Sequence, residues 1–188
     1  MFLDIAAGIF LSILVSWLFS SPLSFAFMMA GIAAVLLPDI DFLIHVLRGG
    51  NLRESAHTHR EILHYPILFI PVVSLLFYLY DPRWALLFGL GALFHFLHDS
   101  VGLGWGVMWL GPFSWKSYKF FSEKDGSNSR RLVMYWEPEE LNAIIEERAK
   151  HTDTNWIKNT YFRLTPTLII ELLSLFAALL IFIWLKLS

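Results

Sequence analysis

The stretch WALLFGLGALFHFLHDSV, residues 84–101, is apolar for three turns and then carries His95, His98 and Asp99 before it stops. A bilayer core of about 30 Å asks for roughly 20 apolar residues, and this run is close to that length. Imidazole and carboxylate at the end of such a run are costly near hydrocarbon, so they point to function. His95 and Asp99 stand four residues apart and share one face of a helix.

Working outward, four more segments read as spans: Phe2–Phe19, Leu23–Leu37, Tyr65–Tyr80 and Thr167–Leu185. Of the 188 residues 56% are hydrophobic, with 17 Phe and 8 Trp, more apolar surface than a soluble domain of this size hides. The expectation is an all-α, polytopic membrane protein with about five transmembrane helices. Two of the segments are short for a span, which calls for local thinning of the bilayer or help from flanking residues. The first segment lacks a basic leader and a small-x-small cleavage site, so it is read as a retained helix.

The whole chain is expected to form a single integral membrane domain. Residues 1–121 would form its core, 122–166 a cytoplasmic connection and 167–186 the last transmembrane helix. Val107–Phe121, rich in aromatics, reads as an interfacial or re-entrant segment. Ser122–Arg131 reads as a polar loop, and Pro138–His151 as a cytoplasmic amphipathic helix with acids in its first turn. With five spans, 12 basic residues fall on the side of the N-terminus and 2, Arg83 and Lys186, on the other. The positive-inside rule then places the N-terminus in the cytoplasm and the chain in the inner membrane.

Other classes are excluded by composition. There is no cysteine, so there is neither a disulfide framework nor a thiolate metal site. The net charge of -2 gives no footing for nucleic acid.

Two further polar clusters fall on the same expected side as His95 and Asp99. Pro38 ends the second segment, leaving Asp39 and Asp41 at the membrane surface. His57, His59 and His64 precede Pro66, which suits the first turn of a helix. Imidazoles and carboxylates without sulfur suit a divalent metal, zinc first, with manganese and iron as alternatives. Asp39, Asp41, His59, His64, His95 and Asp99 are numerous enough for one or two ions. A cation in such a set acidifies water toward a pKa of about 7, and Arg60 is placed to bind a substrate anion. His57 and His98 are left without a role.

The series Leu37-Pro38-Asp39-Ile40-Asp41, His59-Arg60 with His64, His95 with Asp99, and Leu110-Gly111-Pro112-Phe113-Ser114 resembles that of the LexA-regulated, membrane-bound, metal-dependent hydrolases, the YdjM-like inner-membrane proteins. Order and spacing agree from Pro38 to Ser114. The family's LPDIDH reads Phe42 at its last position here, and the glycine and threonine of its HRG-x-TH read Glu61 and Leu63. Where many members have an N-terminal histidine this chain has Asp4. The resemblance implies a metal-dependent hydrolase, with Asp4 as an additional oxygen ligand and Glu61 as a general base or a partner to an imidazole.

The expected substrate is a lipid or lipid-like molecule, a phosphoester first, reaching the site from the bilayer plane. Two other classes stay open at this point: a metal or proton-coupled transporter, and a non-catalytic protein whose short helices are stapled by metal. The oligomeric state is not legible.

Overall fold

The computed structural model describes residues 1–40, 44, 47–48, 62–101, 105–122, 131–151 and 163–187. In chain order the elements are α1 (Phe2–Leu18), α2 (Phe25–Leu36), a 3-10 turn (Leu37–Asp39), a second 3-10 turn (Ile62–His64), α3 (Pro66–Tyr78), α4 (Pro82–Val101), strands β1 (Ser117–Ser122) and β2 (Arg131–Trp136), α5 (Pro138–His151) and α6 (Pro166–Leu187).

Local chemistry sets the helix starts. The Ser24 hydroxyl accepts from the Phe27 amide at 3.0 Å at the start of α2, and the Thr165 hydroxyl accepts from Leu168 at 3.2 Å at the start of α6. Ahead of α4, the Asp81 carboxylate accepts from the Arg83 amide at 2.8 Å, with Pro82 in the first turn. The Arg83 guanidinium, 2.6 Å away, holds the Asp81 carboxyl below its usual range.

The chain divides into two units. One comprises Met1–Leu37, Ile70–His95 and Asn155–Ser188, the other Pro38–Phe69 and Phe96–Thr154. In the first, α1 packs against α2 and α6 around Ala6, Ile9, Met28, Ala178 and Phe182. A Cβ on Gly8 would sit 2.5 Å from the Ile32 Cα, so the α1 and α2 backbones touch because nothing projects between them. In lipid, where chains outside are as apolar as those inside, such close packing is the main source of helix association.

Two helices, α4 and α6, are long and apolar enough to cross a membrane. α1, α2 and α3 have 17, 12 and 13 residues. At 1.5 Å per residue they reach roughly 26, 18 and 20 Å, short of a bilayer core. All five apolar segments are helical, but only two meet the length of a span. Along α6, Ile170, Leu173, Phe176 and Ile183 lie exposed, a surface suited to lipid and poorly suited to water.

The second unit adds a short hairpin to the mostly helical fold. β1 forms at the end of the segment expected to be interfacial or re-entrant and pairs antiparallel with β2, with Ser117 opposite Trp136, Lys119 opposite Met134 and Phe120 opposite Val133. The expected polar loop, apart from its end residues Ser122 and Arg131, lies outside the described residues. SYKFFS and RLVMYW alternate with aromatic and branched side chains, which pack well on a pleated surface. Met134 and Trp136 are buried on one face. Val107 adds one bridge to Tyr118, and Gly106, at φ 84°, brings its backbone against the Tyr118 carbonyl where a side chain would collide. α5 follows over the residues expected for the amphipathic helix.

Candidate metal centre

Two of the ligand candidates sit where an apolar element changes direction, and the third lies within a helix. α2 runs out at Leu37, and the 3-10 turn through Pro38 presents Asp39. His64 closes the other 3-10 turn, directly before α3 begins at Pro66. His95 lies in the unbroken helix α4, one residue ahead of Phe96.

The ligand atoms of Asp39, His64 and His95 all lie within 4.8 Å of one another. His64 Nε2 and Asp39 Oδ1 are 3.7 Å apart, too far for a hydrogen bond. Two ligands sharing one tetrahedral zinc at about 2.0 to 2.1 Å are separated by roughly 3.3 Å, so this pair needs a few tenths of an ångström to close on an ion. Two ring nitrogens and one carboxylate oxygen make a donor set that zinc accepts, and the residues present therefore fit a divalent cation. The site is deep on one side only. The His64 side chain is fully buried and His95 nearly so, while the Asp39 side chain is 44% exposed.

Around the imidazoles stands an aromatic wall. The Phe96 ring meets the His64 ring edge to face at 5.9 Å and the Phe69 ring at 5.8 Å. Trp109 packs on Phe96 at 6.5 Å and donates its indole N–H to the Ser100 hydroxyl at 2.8 Å. Ser100 in turn donates to the Phe96 carbonyl at 2.7 Å, one turn back along α4. Beside His64, the Tyr65 ring meets Trp115 at 5.9 Å. Gly111 lies flat on Tyr65: a Cβ there would come 2.5 Å from the ring.

Of the seven residues expected to hold metal, the structure brings Asp39, His64 and His95 together. Asp99 is half-buried on α4 and Asp4 is buried on α1, and neither belongs to this group. Asp4 instead pairs with the Met1 amine at 2.9 Å. Asp41, His59, Arg60 and Glu61, like His57, lie outside the described residues. The supporting residues Phe96, Ser100, Trp109 and Gly111 were not expected to form a wall. Gly111 stands in a quoted motif, but nothing in the sequence says what it lies against.

Apolar helices suited to a bilayer, together with an Asp-His-His group at their ends, define a membrane protein with a candidate metal centre. The chain belongs to the YdjM inner membrane protein family, whose model matches residues 4–186. No curated protein and no solved structure matches it.

Proposed function

We propose that this protein is a multi-pass inner-membrane hydrolase, with its N-terminus in the cytoplasm, that uses a divalent metal to cleave a lipid-like substrate at the cytoplasmic interface. The observation that carries the reading is the convergence of Asp39, His64 and His95 within 4.8 Å. Two imidazoles and one carboxylate are the ligand count and type of catalytic zinc sites, which keep a further position open. When bound, the cation supplies Lewis acidity, acidifying water and polarising a carbonyl or phosphoryl oxygen.

The chain's own residues do the rest. His64 and His95 are anchored in buried surroundings, so their nitrogens are preorganised. Asp39 forms the exposed side, and a substrate head group arrives past it. The Phe96 and Trp109 rings exclude water from behind the imidazoles. In this proposal Arg60 binds the substrate's anionic group, and Glu61 takes a proton as general base. Asp41, His59 and Asp99 are the further ligands in this proposal if a second ion binds.

The test is metal content and lipid phosphoester turnover of the purified protein in detergent, for wild type, His64→Ala and His95→Ala. Both variants are expected to lose metal and turnover together. Unchanged metal content in both would sink the site, and metal uptake into proteoliposomes without turnover would replace the enzyme with a transporter.

A further inference from the structure

The β-hairpin and the turn that leads into it expose a band of large apolar side chains with no cover among the described residues. Phe113 is 80% exposed, Trp115 54%, Phe121 62% and Leu132 68%. Phe121 also holds φ 52°, in the left-handed region that phenylalanine seldom adopts. Apolar side chains exposed in such number call for something outside that receives them.

Position and charge identify that something. The Trp109 indole ties this segment to Ser100, one residue from the end of α4, and the Trp109 ring lies 5.9 Å from Phe120 on β1. The band is thus anchored at the terminus of a helix long and apolar enough to cross a bilayer. Leu97 and Val101 at that terminus are exposed as well. In sequence, residues 105–136 carry Lys116, Lys119, Lys124, Arg130 and Arg131 against Glu123 and Asp125, an excess of basic residues. Lys116 is drawn to Glu137 at 2.7 Å, and Arg131 is exposed at the start of β2. Aromatic rings with lysine and arginine among them are the composition of the zone between headgroups and acyl chains.

We infer that the hairpin is a membrane-docking element: Phe113, Phe121 and Leu132 insert at the headgroup boundary, and the exposed Arg131 meets anionic lipid. It lies on the surface and does not re-enter the core, because an open two-stranded edge leaves backbone groups that hydrocarbon cannot satisfy. This inference stands apart from the metal reading and does not need it.

The chain has no cysteine, so single-cysteine labelling has no background. A nitroxide is placed at Phe113→Cys, Phe121→Cys or Leu132→Cys of the full chain in phosphatidylcholine vesicles with and without phosphatidylglycerol. Collision with oxygen is compared with collision with a water-soluble nickel chelate. Leu173→Cys on α6 serves as the lipid reference and Asn142→Cys on α5 as the aqueous one. The expected result is an oxygen-to-nickel ratio several-fold above that of Asn142→Cys, rising further with phosphatidylglycerol. That rise is expected to shrink when Arg131→Gln is added.

A ratio equal to that of Asn142→Cys at all three positions would overturn the inference. So would shielding from both reagents, the sign of a protein cover, or indifference to phosphatidylglycerol. Phe113 lies in a turn and Leu132 in a strand, so a folding failure at one position leaves the others to decide.

Discussion

Replacing Gly111 with alanine tests whether the wall beside His64 controls the metal ligands. The new Cβ would lie 2.5 Å from Tyr65 Cδ1 and 2.9 Å from Cε1 and Cγ. Carbon atoms in contact rest at about 3.5 Å or more, so the Tyr65 ring must retreat by about 1 Å. Trp115, edge-on to that ring at 5.9 Å, limits the retreat on one side. Tyr65 is bonded to His64, whose own ring is confined by Phe96, and the displacement is therefore shared with the ligand. Metal sites tolerate about 0.2 Å in ligand distance. A shift several times that size compares with losing a group that orients a ligand, a 10- to 100-fold loss in metal affinity or about 1.4 to 2.7 kcal/mol. The assay is competition with a chromophoric chelator on the purified protein, with the exposed Leu110→Ala as control. Wild-type affinity in Gly111→Ala, with zinc binding intact in wild type and lost in His95→Ala, would refute the reasoning.

Other outcomes follow from the same contacts. Trp109→Phe keeps the ring but removes the 2.8 Å hydrogen bond to Ser100, and thermal unfolding is expected to register a loss of about 1 kcal/mol. Gly8→Ala forces a methyl against the Ile32 backbone, which cannot turn aside as a side chain could; a loss of about 1 to 3 kcal/mol is expected, and an unchanged melting temperature would contradict it. The Glu137 carboxylate raises the Lys116 ammonium above its usual range. A raised base stabilises fully below its unfolded pKa and loses that contribution as pH climbs through the folded one, so the melting temperature is expected to fall more steeply at strongly alkaline pH in wild type than in Lys116→Gln.

The helices were legible because each is a continuous apolar run closed by Pro, Ser, Thr or Asp, signals that act over a few residues. Pro138–His151 was legible for the same reason, with Glu139 and Glu140 in its first turn. The hairpin was not, because its decisive contact joins Ser117 to Trp136 across 19 positions. Seen without its partner strand, SYKFFS is merely an aromatic stretch. At the candidate centre, the sequence placed Asp39, His64 and His95 among seven candidate ligands without separating them from the rest. Helical spacing showed that His95 and Asp99 share a face of α4, but it could not show that Asp39 and His64 would join His95. Nor could it show that His64, at the margin of a helix, would be wholly buried.

The three grouped side chains come from three separate stretches, at positions 39, 64 and 95. A chain emerges from the ribosome in that order, and its early parts settle first. α1 and α2 can pair as soon as Ile32 has emerged, with nothing to wait for. The candidate group has no such head start: until the last turns of α4 are made, an insertion intermediate holds only two of its three members, Asp39 and His64. On the proposed reading, metal acquisition is in this way deferred to the later stages of insertion, and a nascent chain stalled before His95 would leave the translocon with the group incomplete.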